Sequence, residues 1–190
     1  DQYIPRMGWT PASEVYFYRT NRLQNHFELL LANGSGSRVV YSEKDRRYIE
    51  RQDEETITFL PKGDRFIVKN ETEGFMHLYL YSTEKGPLDT LTRGNWEVTK
   101  LVQVTDDKVY YLSTEESPLR RHLYSVKLNG KGKTRLTEDN GYHTIAPSRG
   151  FRYFISYFSN TTTPNLIRLH NSSGKVIRIL EDNAELGKTI

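Results

Sequence analysis

The chain contains no cysteine, which excludes a disulfide framework and any thiolate-ligated metal site. It carries no transmembrane stretch and no secretory leader pattern. Charge of one sign is also missing. The 27 basic and 24 acidic side chains are interspersed for a net charge of +3, without the clustered Lys and Arg of a nucleic-acid footprint. The short runs Arg46-Arg47 and Arg120-Arg121 read as solvated loop or edge positions. No amphipathic helical window stands out except within the last ten residues. The usual catalytic signatures are absent as well: no Gly-x-Ser-x-Gly elbow, no His-Glu-x-x-His helix and no P-loop. Gly34-Ser-Gly-Ser reads as a turn between strands.

What the chain does have is aromatic wealth: 13 Tyr, 8 Phe and 2 Trp among 190 residues, a composition that favours strands. Phe59 to Val98 shows the organisation most clearly. Strand-like runs at Thr56 to Leu60, Arg65 to Lys69, His77 to Tyr81 and Asp89 to Leu91 are separated by Pro61-Lys-Gly63, by Glu73-Gly74 and by Glu84 to Pro87. Four short antiparallel strands handing on to a fifth make one blade of a β-propeller.

The unit recurs. His26-Phe-Glu-Leu-Leu, His77-Leu-Tyr-Leu-Tyr, His122-Leu-Tyr-Ser-Val and Asn165-Leu-Ile-Arg-Leu begin successive third strands, spaced by roughly the 40–50 residues of a propeller blade. Fourth strands align as Ser37 to Val40, Asp89 to Thr92, Thr134 to Thr137 and Val176 to Ile179. Second strands align as Val15 to Tyr18, Phe66 to Lys69, Val109 to Leu112 and Tyr153 to Tyr157. Innermost strands fall at Ile4 to Trp9, Thr56 to Leu60, Val98 to Thr105 and Tyr142 to Ala146. The third strands are apolar on both faces, as expected of strands clamped between neighbouring blades. The expected fold is all-β, with four four-stranded antiparallel blades at about 3–41, 56–92, 98–137 and 142–180, forming a partial (half) β-propeller. The charged stretch from Ser42 to Glu55 reads as an inter-blade loop on a rim, where binding residues tend to sit.

Few side chains suggest chemistry. His26, His77 and His122 share one step of the repeat, so their spacing is architectural, and a hydrogen bond at each strand start is the expected role. His143 and His170 have no neighbouring nucleophile or ligand pattern in sequence. Glu54-Glu55 and Glu115-Glu116 are acidic pairs, but adjacent strand residues point to opposite faces, so solvated turn carboxylates are expected. Asn-x-Ser/Thr matches at Asn33, Asn70, Asn160 and Asn171 read as hydrophilic turns that mimic glycosylation acceptors. No catalytic, cofactor-binding or metal-ligating residue is assigned, and no cofactor is expected.

Several words occur in a telling order: Asn21-Arg-Leu-Gln-Asn, Phe59-Leu-Pro-Lys-Gly, Glu73-Gly-Phe-Met-His-Leu-Tyr, Gly94-Asn-Trp-Glu-Val, Val109-Tyr-Tyr, Arg121-His-Leu-Tyr and Val176 to Asn183. Together they resemble the later blades of the N-terminal propeller of the dipeptidyl peptidase IV family, in the prolyl oligopeptidase clan. The cysteine-free version resembles the bacterial, Bacteroides-like branch. The resemblance implies the second half of an eight-bladed propeller, with residues 181–190 leading toward an α/β-hydrolase domain that carries the catalytic triad outside this chain. The chain opens on Asp1-Gln-Tyr-Ile without an initiator Met, in keeping with a piece cut from a longer protein. The resemblance further implies a parent that releases N-terminal dipeptides with Pro or Ala second, the propeller gating access. It also implies a periplasmic or cell-envelope address in a Gram-negative bacterium. Expected partners are the parent's own hydrolase domain and peptide substrates, with no nucleic acid. Open inter-blade faces lead to the expectation of a homodimer. In some relatives the loop matching Ser42 to Glu55 touches substrate, which singles out Tyr48 and Arg51. The alternative is a binding or scaffold propeller resembling the TolB type, with no peptidase domain.

Overall fold

The structure, a computed structural model, describes residues 1–49 and 55–187. The described residues form four antiparallel sheets in chain order and almost no helix. The first comprises β1 (Gln2–Tyr3), β2 (Met7–Trp9), β3 (Val15–Asn21), β4 (His26–Asn33) and β5 (Gly36–Lys44). The second comprises β6 (Ile57–Phe59), β7 (Arg65–Asn70), β8 (His77–Ser82) and β9 (Gly86–Thr90). The third comprises β10 (Val98–Val104), β11 (Lys108–Ser113), β12 (His122–Lys127) and β13 (Thr134–Arg135). The fourth comprises β14 (Tyr142–Pro147), β15 (Tyr153–Ser159), β16 (Leu166–Asn171) and β17 (Val176–Glu181), followed by the one-turn helix α1 (Ala184–Gly187). Within each sheet the strands are ordered as they occur along the chain, except that β1 and β2 both pair with β3.

The chain divides into two compact units, one of Asp1–Gly74 with Leu78–Thr90, the other of Phe75–His77 with Leu91 onward. In the first unit, Tyr18, Phe27, Leu29 and Tyr41 of the first sheet pack against Ile57, Phe66 and Val68 of the second. Their rings meet edge-on or stacked, with Tyr18 and Phe27 at 5.1 Å and Phe66 and Tyr81 at 5.6 Å between centroids, distances at which aromatic pairs are favourable. In the second unit, Tyr110, Leu112, Leu123 and Leu136 pack against Ile145, Phe151 and Phe154. The Tyr110 and Phe151 rings stack at 3.5 Å. Tyr18, Tyr41, Tyr110, Tyr111 and Tyr124 are thus core.

Strand bounds depart from the sequence reading where backbone chemistry intervenes. The innermost strand of the first sheet is split into β1 and β2 because Pro5 has no N–H to give, although Arg6 still accepts from Tyr18 N at 2.9 Å. β9 begins at Gly86 rather than Asp89, with Pro87 opposite Tyr81 on the outer edge, where a proline is tolerated. β5 continues to Lys44, so Ser42, Glu43 and Lys44 belong to a strand rather than to the charged loop. β13 is only two residues long. After Leu136 N bonds Leu123 O at 2.8 Å, Thr137 turns inward toward His122.

The four Asn-x-Ser/Thr words all close strand connections in one way. The side-chain oxygens of Asn33, Asn70, Asn160 and Asn171 accept from the N–H two residues on at 3.0, 3.4, 3.0 and 3.1 Å. Each also accepts from that residue's hydroxyl, at 2.6, 2.9, 3.2 and 2.8 Å. This is the Asx-turn chemistry that suits Asn to tight connections.

The β16–β17 turn presses on the third sheet. Gly174 sits at φ 90°, and a Cβ there would lie 2.5 Å from the Leu136 carbonyl oxygen. Gly174→Ala is therefore expected to destabilise the chain by at least about 2 kcal/mol, from left-handed strain plus a backbone clash. A urea midpoint equal to that of the unmodified chain would contradict this packing.

Candidate functional site

Three of the five histidines tie strands as expected. His77 Nδ1 lies 3.0 Å from Thr92 Oγ1 and its Nε2 lies 2.9 Å from the Gly94 carbonyl oxygen. His122 Nδ1 lies 3.3 Å from Thr137 Oγ1, and that same hydroxyl oxygen accepts the Leu123 N–H at 3.0 Å. In both sheets the fourth strand is followed by a Leu-Thr pair whose threonine returns to the histidine that opens the third strand. His26 does the cross-strand equivalent, with Nε2 3.1 Å from Ser42 Oγ.

The other two histidines line a polar cleft of about 440 Å3 in the second unit, between the third and fourth sheets. Here the structure corrects the sequence reading, because His170 does have a hydroxyl neighbour. Ser156 Oγ lies 2.7 Å from His170 Nε2. The register pairs Phe154 with His170 and Ser156 with Arg168, so Ser156 and His170 are diagonal neighbours on one sheet face, invisible from spacing alone. His170 Nδ1 lies 2.9 Å from the Gly174 carbonyl oxygen, which can only accept. Nδ1 therefore carries the proton and Nε2 accepts from Ser156. That is the tautomer a general base needs beside a serine nucleophile.

The pair cannot act on a substrate. Ser156 is 1% exposed and does not line the cleft, and His170 is 3% exposed and stacked on Phe154 at 4.5 Å. Burial holds the His170 imidazole below its ordinary pKa. The bond reads as satisfaction of two buried polar groups.

The rest of the cleft is closed on itself. Arg168 Nη1 donates to Asp139 Oδ2 at 2.5 Å. Arg135 Nε donates to the Thr137 carbonyl at 2.6 Å, and its Nη2 donates to the Glu138 carbonyl. His143, 2% exposed, has Nε2 2.8 Å from the Asp139 carbonyl. Burial is the main cause that lowers its pKa to about 4. Among the described residues no group of three or more His, Asp or Glu side chains is arranged to hold a metal ion.

The described residues of the acidic pairs are partnered rather than merely solvated. Glu115 pairs with Lys133, whose ammonium also lies 5.7 Å from the Trp96 ring and 5.9 Å from the Tyr124 ring. Glu116 accepts from Tyr124 Oη at 3.2 Å and lies 3.5 Å from Arg135. Glu55 holds Lys69, 1% exposed, at 2.6 Å. Tyr48 is 57% exposed, while Arg51 and Glu54 lie outside the described residues.

Successive four-stranded antiparallel sheets, each in chain order and packed face to face within its unit, define a partial β-propeller. Residues 1–165 match the family described as the dipeptidyl peptidase IV (DPP IV) N-terminal region, and the chain belongs to that family. It is 36% identical to a probable dipeptidyl-aminopeptidase B of Fusarium vanettenii, over 98% of this chain and 22% of that protein. Among solved structures it is similar to Porphyromonas gingivalis dipeptidyl peptidase 4, with a TM-score of 0.91 and 33% identity over 100% of this chain and 27% of that one. It is also similar to a putative dipeptidyl aminopeptidase IV from Bacteroides ovatus, with a TM-score of 0.82 and 25% identity over 96% of this chain and 29% of that one. The chain thus spans about a quarter of the length of the relatives it matches.

If Ser156 serves only to satisfy His170, Ser156→Ala leaves a buried imidazole nitrogen without its donor. The expected loss is about 1–3 kcal/mol of unfolding free energy, read by urea denaturation. An unchanged stability would refute the structural role.

Proposed function

We propose that this chain is a non-catalytic portion of the propeller of a dipeptidyl peptidase IV-like serine exopeptidase. In the parent it shapes and gates the access of peptides whose N-terminal Xaa-Pro or Xaa-Ala dipeptide is released. The observation that carries this reading is the match over residues 1–165 to the family's N-terminal region. It is supported by the likeness of the whole chain to about a quarter of a dipeptidyl peptidase 4. The buried, self-satisfied state of the Ser156–His170 pair agrees with it, because the chemistry is then supplied by another domain.

In this reading the partners are an α/β-hydrolase domain of the parent and its peptide substrates, and the parent works in the periplasm or cell envelope. Tyr142, Tyr153 and Tyr157, exposed on the fourth sheet, lie on a surface that a further blade of the parent covers. Taken alone, the chain buries that surface against a second copy. Light scattering is then expected to return a dimer mass, and a strictly monomeric mass at high concentration would count against that pairing.

The function is tested with an Xaa-Pro chromogenic substrate offered to the full parent protein and, in parallel, to this chain alone. Turnover by the parent and none by the chain is the expected pattern. An inactive parent would undo the peptidase assignment, and turnover by the isolated chain would undo its non-catalytic role.

A further inference from the structure

The third and fourth sheets are joined at one end by backbone. Arg121 N donates to the Gly141 carbonyl at 3.0 Å, and His143 N donates back to the Arg121 carbonyl at 3.2 Å. This forms an isolated parallel bridge between Arg121 and Tyr142. Each side of the bridge is followed directly by a buried histidine, His122 on β12 and His143 on β14. Their rings lie 5.4 Å apart at 42°.

Each ring has one nitrogen committed and one without a partner. His143 Nε2 faces the Asp139 carbonyl, so it carries the proton of the neutral ring, and buried Nδ1 is left with a lone pair and no donor. His122 Nδ1 faces Thr137 Oγ1, and buried Nε2 is unpartnered. Protonating either ring places a new charge in the interior, and on His143 it also creates an N–H with no acceptor. A second proton then sets two cations 5.4 Å apart.

The surroundings do not relieve this. His122 is faced by Arg135 and Arg120, opposed by Glu116, and by the Thr137 hydroxyl. His143 is faced by Arg168, opposed by Asp139, with the Phe158 ring tilted against it at 4.8 Å. We infer that the His122–His143 pair is an acid-sensitive joint, at which proton uptake releases the Arg121–Gly141–His143 backbone clamp between the third and fourth sheets.

The sign follows from burial, the leading cause that holds both rings below the ordinary histidine value. The opened state binds more protons than the closed one. The clamp is therefore fully stable above about pH 6.5 and loses stability as the pH falls toward 4. Opening there frees the loops that flank the bridge, 114–121 and 138–141, while Leu123 and Leu136 stay in the hydrophobic cluster of the unit.

Hydrogen exchange at the Arg121 and His143 amides reads the clamp directly. In the unmodified chain, protection corrected for intrinsic exchange is expected to fall at least about tenfold between pH 7 and 4.5, one decade per pKa unit of difference. The double variant His122→Asn/His143→Gln keeps the two side-chain bonds and cannot titrate, so its protection should change less than about twofold over that span. Constant protection in the unmodified chain, or an equal fall in the variant, overturns the joint. Should the variant fail to fold, NMR titration of the two rings in the unmodified chain decides. Midpoints well below 6.5 support the joint, and midpoints at or above it contradict it.

Discussion

Strands buried on both faces constrain nearly everything else in this chain. β7 is buried from Phe66 through Asn70, β11 from Val109 through Ser113 and β12 from His122 through Val126. A strand with no solvent side gains apolar burial at every residue. It also makes any polar side chain it carries costly unless that group finds a partner in the interior. Lys69 therefore holds Glu55 and His122 reaches Thr137, and on the buried face of β15 Ser156 meets His170. The propeller architecture and the apparent chemistry of these residues have one cause.

That cause separates structural from catalytic use of the same groups. Ser156 and His170 have the distance and tautomer of a nucleophile and its base, yet both are sealed inside the fourth sheet. The cleft beside them binds its own arginines to Asp139 and to backbone carbonyls. Polar groups committed in this way support the proposal that the chemistry of the parent is supplied by another domain. That agrees with membership of a family defined by an N-terminal region.

Much of the fold was legible in the sequence because the repeat places the same residue types at the same step. The histidines opening the third strands carry the register through three of the four sheets, and Leu-Thr pairs answer them in two. Bounds slipped where single backbone features decide, as at Pro5, at Gly86-Pro87 and where Thr137 leaves β13. The site was less legible. Ser156 and His170, like His122 and His143, come together only through cross-strand register and sheet packing. The acidic pair Glu115-Glu116 was expected to be solvated, but the Lys133 and Arg135 that engage it lie on another segment.

The central claim is that the chemistry of the parent lies outside these residues. It is tested most directly by labelling the active full-length parent with a fluorophosphonate probe and mapping the modified serine by mass spectrometry. The account predicts a single labelled serine outside residues 1–190. A label on Ser156, or on any other serine of this chain, would contradict it.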